Sequence, residues 1–192
     1  MNVLDYIENE LLSCLCSMLR EEGRPACECH HFGGDVPPVG DRCQANTAGE
    51  NGQVWVRRVS TAIEADADEQ AFGGICGSTW QAQIELGVYR CISAIPDEHG
   101  NAPPPSFYDA DRDLLAADRA TLAKVLCCWP LAGTAPQQLP FEVTVNVVAA
   151  QILPLGPSGG CAGSVMTIAV NTPLTAEEEA ESIFFSRPAG AL

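Results

Sequence analysis

The chain has 192 residues, with ten Lys or Arg against 25 Asp or Glu, a formal net charge of −15 and an isoelectric point of about 4.3. This length suits one domain with arms and allows a core of ordinary size. So few cations, spread along the chain, exclude a groove that tracks nucleic-acid phosphates.

Residues 2 to 20 predict an amphipathic helix. Leu4, Ile7, Leu11, Leu15 and Met18 recur at three- and four-residue steps, and Gly23 and Pro25 end it. Residues 23–52 read as a long irregular segment with Gly33-Gly34, Pro37-Pro38, Gly40 and Asn51-Gly52. A loop of that length is usually functional or an interaction arm. A first strand is expected from Val54 to Ile63, followed by an acidic, glycine-rich connection over 64–78. The second strand is the clearest. Trp80, Ala82, Ile84, Leu86 and Val88 alternate with Thr79, Gln81, Gln83, Glu85 and Gly87, so one face is buried and the other polar. The phase changes at Tyr89, Arg90, Cys91 and Ile92, which calls for a bulge or for cover on both faces.

Pro96 and Pro103-Pro104-Pro105 end this strand region. Ser106 or Asp109 can cap a second helix, with Leu115, Leu122, Leu126 and Trp129 as its buried stripe and Pro130 as its stop. A third strand is expected over Phe141, Val143, Val145, Val147 and Ala149, and a fourth over Met166, Ile168 and Val170. Gly156 to Gly163 read as the wide turn between them. The expected fold is α+β: two helices on one face of a mostly antiparallel four-stranded sheet, ordered helix-strand-strand-helix-strand-strand. Residues 1–172 would form this domain and 173–192 a C-terminal helical arm. Thr175-Ala-Glu-Glu178 is a capping box there, and Ile183, Phe184 and Phe185 place apolar bulk that must bury on its own domain or on a neighbouring subunit.

The acidity fits plain solubility, or a negative surface that lets DNA pass or meets a basic partner. The first residues, Met1-Asn-Val-Leu-Asp-Tyr6, lack the basic start and apolar block of a signal peptide, and no stretch suits a bilayer span. The expectation is a protein made and kept in a cytoplasm, with no membrane partner. Ten cysteines are many for such a compartment. They are either buried small apolar residues or sulfurs that pair once the protein leaves the cell.

Cys27-Glu-Cys29-His30-His31, with Cys43 downstream, offers the residue types that bind zinc. The paired cysteines of zinc knuckles usually leave about two to four residues between them. Here one intervenes, and a second well-spaced pair is missing. A disulfide or a buried thiol cluster is favoured, so Cys27, Cys29, His30 and Cys43 stay weak metal candidates and no cofactor is expected. The role of the adjacent His30 and His31 is left open. Cys127 and Cys128 are neighbours on a helix and point in different directions.

Cys76 or Cys161 with His99 would make a nucleophile pair, but nothing local supports it. The glycine loop lacks the Lys-Ser/Thr of a phosphate-binding loop. Asp109, Asp111 and Asp113 lack the glycine and distal glutamate of a calcium loop and read as helix-start charges. Arg57 and Arg58 adjoin in the first strand, so one must share a face with apolar neighbours. It can pair with an acid such as Glu85 or bind a partner. No catalytic constellation emerges, and the expectation is a protein that is not an enzyme.

Four segments carry a family resemblance: Gly52-Gln-Val-Trp-Val-Arg57, Glu85-Leu-Gly-Val-Tyr-Arg-Cys91, Cys127-Cys128-Trp129, and Gly159-Gly160-Cys161 with Gly163. In this order they resemble head-to-tail junction proteins of long-tailed phages that infect actinobacteria, over about residues 52–171. The cysteine-bearing loop at 27–43 also looks similar. The element order is similar to that of phage tail terminators. The resemblance implies a structural virion protein at the head-tail junction, assembled in the host cytoplasm. It would form a hexameric ring that caps the tail-tube protein, meets a head-side connector or stopper protein, and lets genomic DNA pass through its lumen. The runner-up within this resemblance is the connector or stopper ring itself. From a different class, a small zinc-binding module remains the distant alternative.

Overall fold

The computed structural model describes residues 3–33, 50–64, 79–92, 104–128, 146–158 and 161–173. Helix α1 (Val3–Glu21) turns Leu4, Ile7, Leu11, Leu15 and Leu19 into the core, each at most 2% exposed. Truncating any of them to Ala would cost ~2–5 kcal/mol. Gly23 ends the helix at φ 74°, a conformation glycine adopts without a Cβ penalty. Gly23 N–H donates to the Arg20 carbonyl (3.1 Å) and Arg24 N–H to the Leu19 carbonyl (2.8 Å), the paired bonds of a Schellman stop.

Strand β1 (Glu28–His31) follows inside the segment read as irregular. It runs parallel to β2 (Gln53–Glu64), pairing Glu28 with Gln53 through His31 with Val56. Cys27 N–H to the Gly52 carbonyl and Phe32 N–H to the Val56 carbonyl, both 2.9 Å, extend the ladder. Its side chains are mostly exposed, so no apolar alternation announces it. Main-chain bonds and the Cys16–Cys29 disulfide to α1 hold it instead. Among the described residues the expected four-stranded sheet is therefore five-stranded, and the order becomes helix, three strands, helix, two strands.

Strand β3 (Thr79–Cys91) pairs antiparallel with β2 and with β5 (Cys161–Pro173), and β4 (Asn146–Ser158) closes the order β1-β2-β3-β5-β4. Apart from β1–β2 the sheet is antiparallel. The β3–β5 register runs unbroken from Thr79 to Cys91, so the phase change at Tyr89 reflects cover on both faces rather than a bulge. One irregularity lies in β2, where the register slips between Arg58 and Ser60 at the exposed Val59, and β4 slips against β5 between Val147 and Ala149 and between Leu155 and Ser158.

Helix α2 (Pro105–Cys128) begins on a proline, one residue ahead of Ser106. Proline suits a first helical position because its missing N–H would have had no partner there. Leu122 and Val125 face the core, while Leu115 and Leu126 are half-buried. The turn between β4 and β5 is narrower than expected. Gly156 belongs to β4 and Gly163 to β5, with Ser158 already paired to Cys161. Pro154 and Pro157 are tolerated because β4 is an edge strand. Residues 141–145 of the expected third strand, Trp129, and the arm with Ile183, Phe184 and Phe185 lie outside the described residues.

Both helices pack on one face of the sheet. Val54, Val56, Ala82, Ile84, Leu86, Val88, Met166, Ile168 and Val170 meet α1 and α2 there in one apolar core. Among the described residues, no helix is long and apolar enough to cross a membrane.

Candidate functional site

Two of the segments that carry the resemblance, Gly52–Arg57 and Glu85–Cys91, meet Cys161 and Gly163 of a third at one end of the sheet, around the last residues of β3. Alternation sends Tyr89 to one face and Arg90 to the other. Two clusters therefore stand back to back.

On the face away from the helices, Trp55, Tyr89 and Cys161 form a buried cluster, with Phe32, Cys91 and Leu155 against it. The Trp55 and Tyr89 rings lie 5.6 Å apart at 39°, a separation typical of favourable aromatic pairs. Among the described residues the buried Trp55 Nε1–H meets no hydrogen-bond partner, which costs ~1–3 kcal/mol. Burial, then the nearby Cys161 sulfur, raises the Tyr89 phenol above its ordinary pKa. Gly52 supports the cluster from below. It holds φ 73°, and a Cβ there would collide with the Tyr89 carbonyl and the Arg90 main chain.

On the helix face, Arg90 is 1% exposed. Its Nε donates to Asp118 Oδ2 (2.7 Å) and its Nη2 to Asp118 Oδ1 (3.1 Å). Nη2 also donates to the Arg24 carbonyl (2.8 Å), and Nη1 to the carbonyls of Pro25 (3.2 Å) and Asn51. Every N–H of the guanidinium is thus used on structure. Asp118 also accepts from Arg24, which reaches Glu22 and Thr121 as well. Lys124 (2.8 Å) and Thr121 (2.6 Å) close the network on Glu22. Those bonds, Lys124 first, then Thr121, and further Arg24, pull the Glu22 carboxyl down to about 2, against a smaller opposing effect of burial. The network ties the end of α1, the entry to β2, the end of β3 and the middle of α2 to one point.

The strand arginines divide between the faces. Arg57 Nε donates to Glu85 Oε2 on β3 (2.5 Å), so the cross-strand pairing open from the sequence is formed. Arg58 shares the face of Val54 and Val56 and reaches α1, bonding Glu8 (2.6 Å) and Asp5 (2.8 Å). Burial opposes its charge, but the two carboxylates outweigh that and raise its pKa.

The zinc candidates come apart. Cys29 is joined to Cys16, and Cys27 is also disulfide-bonded, so neither sulfur is a thiolate available to a metal. His30 is half-buried on β1, and Cys43 lies outside the described residues. His31 instead docks β1 on α1, with Nε2 2.8 Å from Asn9 Oδ1 and Nδ1 3.9 Å from Glu8 Oε2. Among the described residues, no three His, Cys, Asp or Glu side chains are placed to hold a metal ion. Asp109, Asp111 and Asp113 lie within α2, where Arg112 bridges Asp109 and Asp113. Cys76 and His99 lie outside the described residues.

Sequence reasoning passed over Arg24, Arg90 and Asp118. A signal was present: Arg90 keeps the phase of Val88, and Asp118 lies one turn before Leu122 on the buried stripe of α2. No protein-family model matches the chain, and no curated protein matches it.

Proposed function

We propose that the chain is a non-enzymatic ring subunit of a phage neck, a tail terminator whose hexamer caps the tail tube and meets the head connector. The observation that carries this reading is where apolar side chains remain exposed. Phe107 and Tyr108 stand exposed at the start of α2, Val59 on β2, and Val147 and Leu153 along the edge strand β4. A closed ring of more than two subunits uses a heterologous interface, so each subunit needs two different adhesive patches. The described polar centre, by contrast, is spent on holding segments together. The charge of −15 suits a lumen along which DNA slides without sticking. The segment 173–192, with Ile183, Phe184 and Phe185, would add an arm that buries on the neighbouring subunit or on the tube.

Mass by light scattering, alone and with purified tail-tube subunit, tests this. A ring that forms or is stabilised on the tube end and stops tube growth is expected. A ring indifferent to tube overturns the terminator in favour of the connector or stopper of the same neck. A monomer in both runs overturns any ring. Removing 173–192 is expected to leave the core folded and weaken assembly, and outright unfolding would place the arm within its own core.

A further inference from the structure

Cys91 and Cys161 face each other across β3 and β5, the last residue of one strand opposite the first of the other. Their sulfurs are 3.8 Å apart and both carry thiols. Cys161 is 5% exposed, within the Trp55–Tyr89 cluster, and Cys91 is half-buried at its margin. We infer that this cross-strand pair is a disulfide site, closed by a low-molecular-weight disulfide once the protein meets an oxidising environment.

The backbone geometry supports closure. Cys91 N–H donates to Asn51 Oδ1 (2.9 Å), and Asn51 Nδ2 donates to the Cys91 carbonyl (3.1 Å). Both main-chain groups of Cys91 therefore point toward Asn51 and away from β5. The Cys91–Cys161 pair is then of the kind that exchanges no ladder bonds, with Cα atoms about 4.5 Å apart and side chains at their closest. That separation falls inside the window a disulfide spans, roughly 4.4–6.8 Å. Rotation about the Cα–Cβ bonds can bring the sulfurs together without moving a strand.

The chemistry balances. The more accessible Cys91, as thiolate, attacks the reagent disulfide, forming a mixed disulfide and releasing one small thiol. Cys161 then gives up its proton and attacks Cys91 Sγ, releasing the second. Two protein thiols and one small disulfide become one protein disulfide and two small thiols. The link joins residues 70 apart in sequence, so it removes much loop freedom from the unfolded chain. It would staple β3 to β5 beside the Arg90–Asp118 network, at the end of the sheet where most of the resemblance lies.

The test uses full-length protein in a C127S/C128S background, which leaves Cys161 as the single cysteine of its tryptic peptide. Oxidised glutathione is added under native conditions, and remaining thiols are alkylated before digestion. The expected product is the Cys91 peptide joined to the Cys161 peptide, two hydrogens lighter than the separate pair. It should disappear in C91S and in C161S, be accompanied by quenching of Trp55 fluorescence, and raise Tm by several degrees over C91S in the same oxidant. Recovery of Cys91 fully alkylated, a link from Cys91 to any other cysteine, a link that forms only in urea, or a link that lowers Tm overturns the inference.

Discussion

The indole of Trp55 fills the space that a side chain on Gly87 would need. The two residues are direct cross-strand partners on β2 and β3, and a Cβ on Gly87 would overlap indole carbons Cζ2, Cη2 and Cε2. Trp55 is 0% exposed, so the ring has nowhere to retreat without disturbing Tyr89 and Cys161.

Gly87→Ala is therefore expected to destabilise the fold by ~1–3 kcal/mol through overpacking. Trp55→Leu alone should cost ~3 kcal/mol as a large-to-small change. The two together should cost less than their sum, because removing the ring frees the space the new methyl needs. Urea denaturation of the four proteins measures this coupling. Strict additivity would mean the ring does not set the requirement for glycine.

Asp118→Asn leaves Arg90 buried beside a neutral amide. A loss of ~3–5 kcal/mol is expected, the cost of an uncompensated buried charge. Arg90→Met with Asp118→Leu should recover part of it, since the apolar pair removes both charges. Thermal melts of the single and double variants check this. A single variant within ~0.5 kcal/mol of wild type, the range of ordinary surface changes, would show that the pair is idle.

Glu22 predicts a pH dependence. Its folded pKa, about 2, lies below its ordinary value of 4.5. A depressed carboxyl contributes stability that is fully present above the unfolded value and is lost as pH falls through the folded one. The stability difference between wild type and Glu22→Gln should thus be constant above about pH 5 and shrink from about 4.5 toward 2. Denaturant melts of both proteins across that range measure it. A difference that grows on acidification would contradict the network around Lys124, Thr121 and Arg24.

Breaking the Cys16–Cys29 link by Cys16→Ser with Cys29→Ser should lower stability by ~3 kcal/mol, the loop-closure value for a short loop. Hydrogen exchange should rise first in β1, which its side chains hold only weakly. Protection in β3 and β5 should change little. Equal loss across the sheet would mean that β1 is integral to the core.

The periodicity of α1 and the alternation of β3 were legible because each is a local pattern facing one apolar layer. The Arg57–Glu85 pairing was partly legible too, since neighbouring strands bring such residues opposite one another. β1 was not, because a strand held by main-chain bonds and a disulfide leaves no hydrophobic signature. The narrow β4–β5 turn was misread for a related reason: on an edge strand, glycine and proline can lie within the ladder rather than end it.

By itself the sequence determined an α+β class and the core-facing stripes of α1 and β3. Those follow from composition and from periods of a few residues. The tertiary structure alone decided that Arg24, Arg90 and Asp118 meet, that Cys29 binds Cys16, and that Cys91 lies opposite Cys161. These partners are separated by 13 to 94 residues. No local rule relates groups that far apart; strand register and helix docking set their distances.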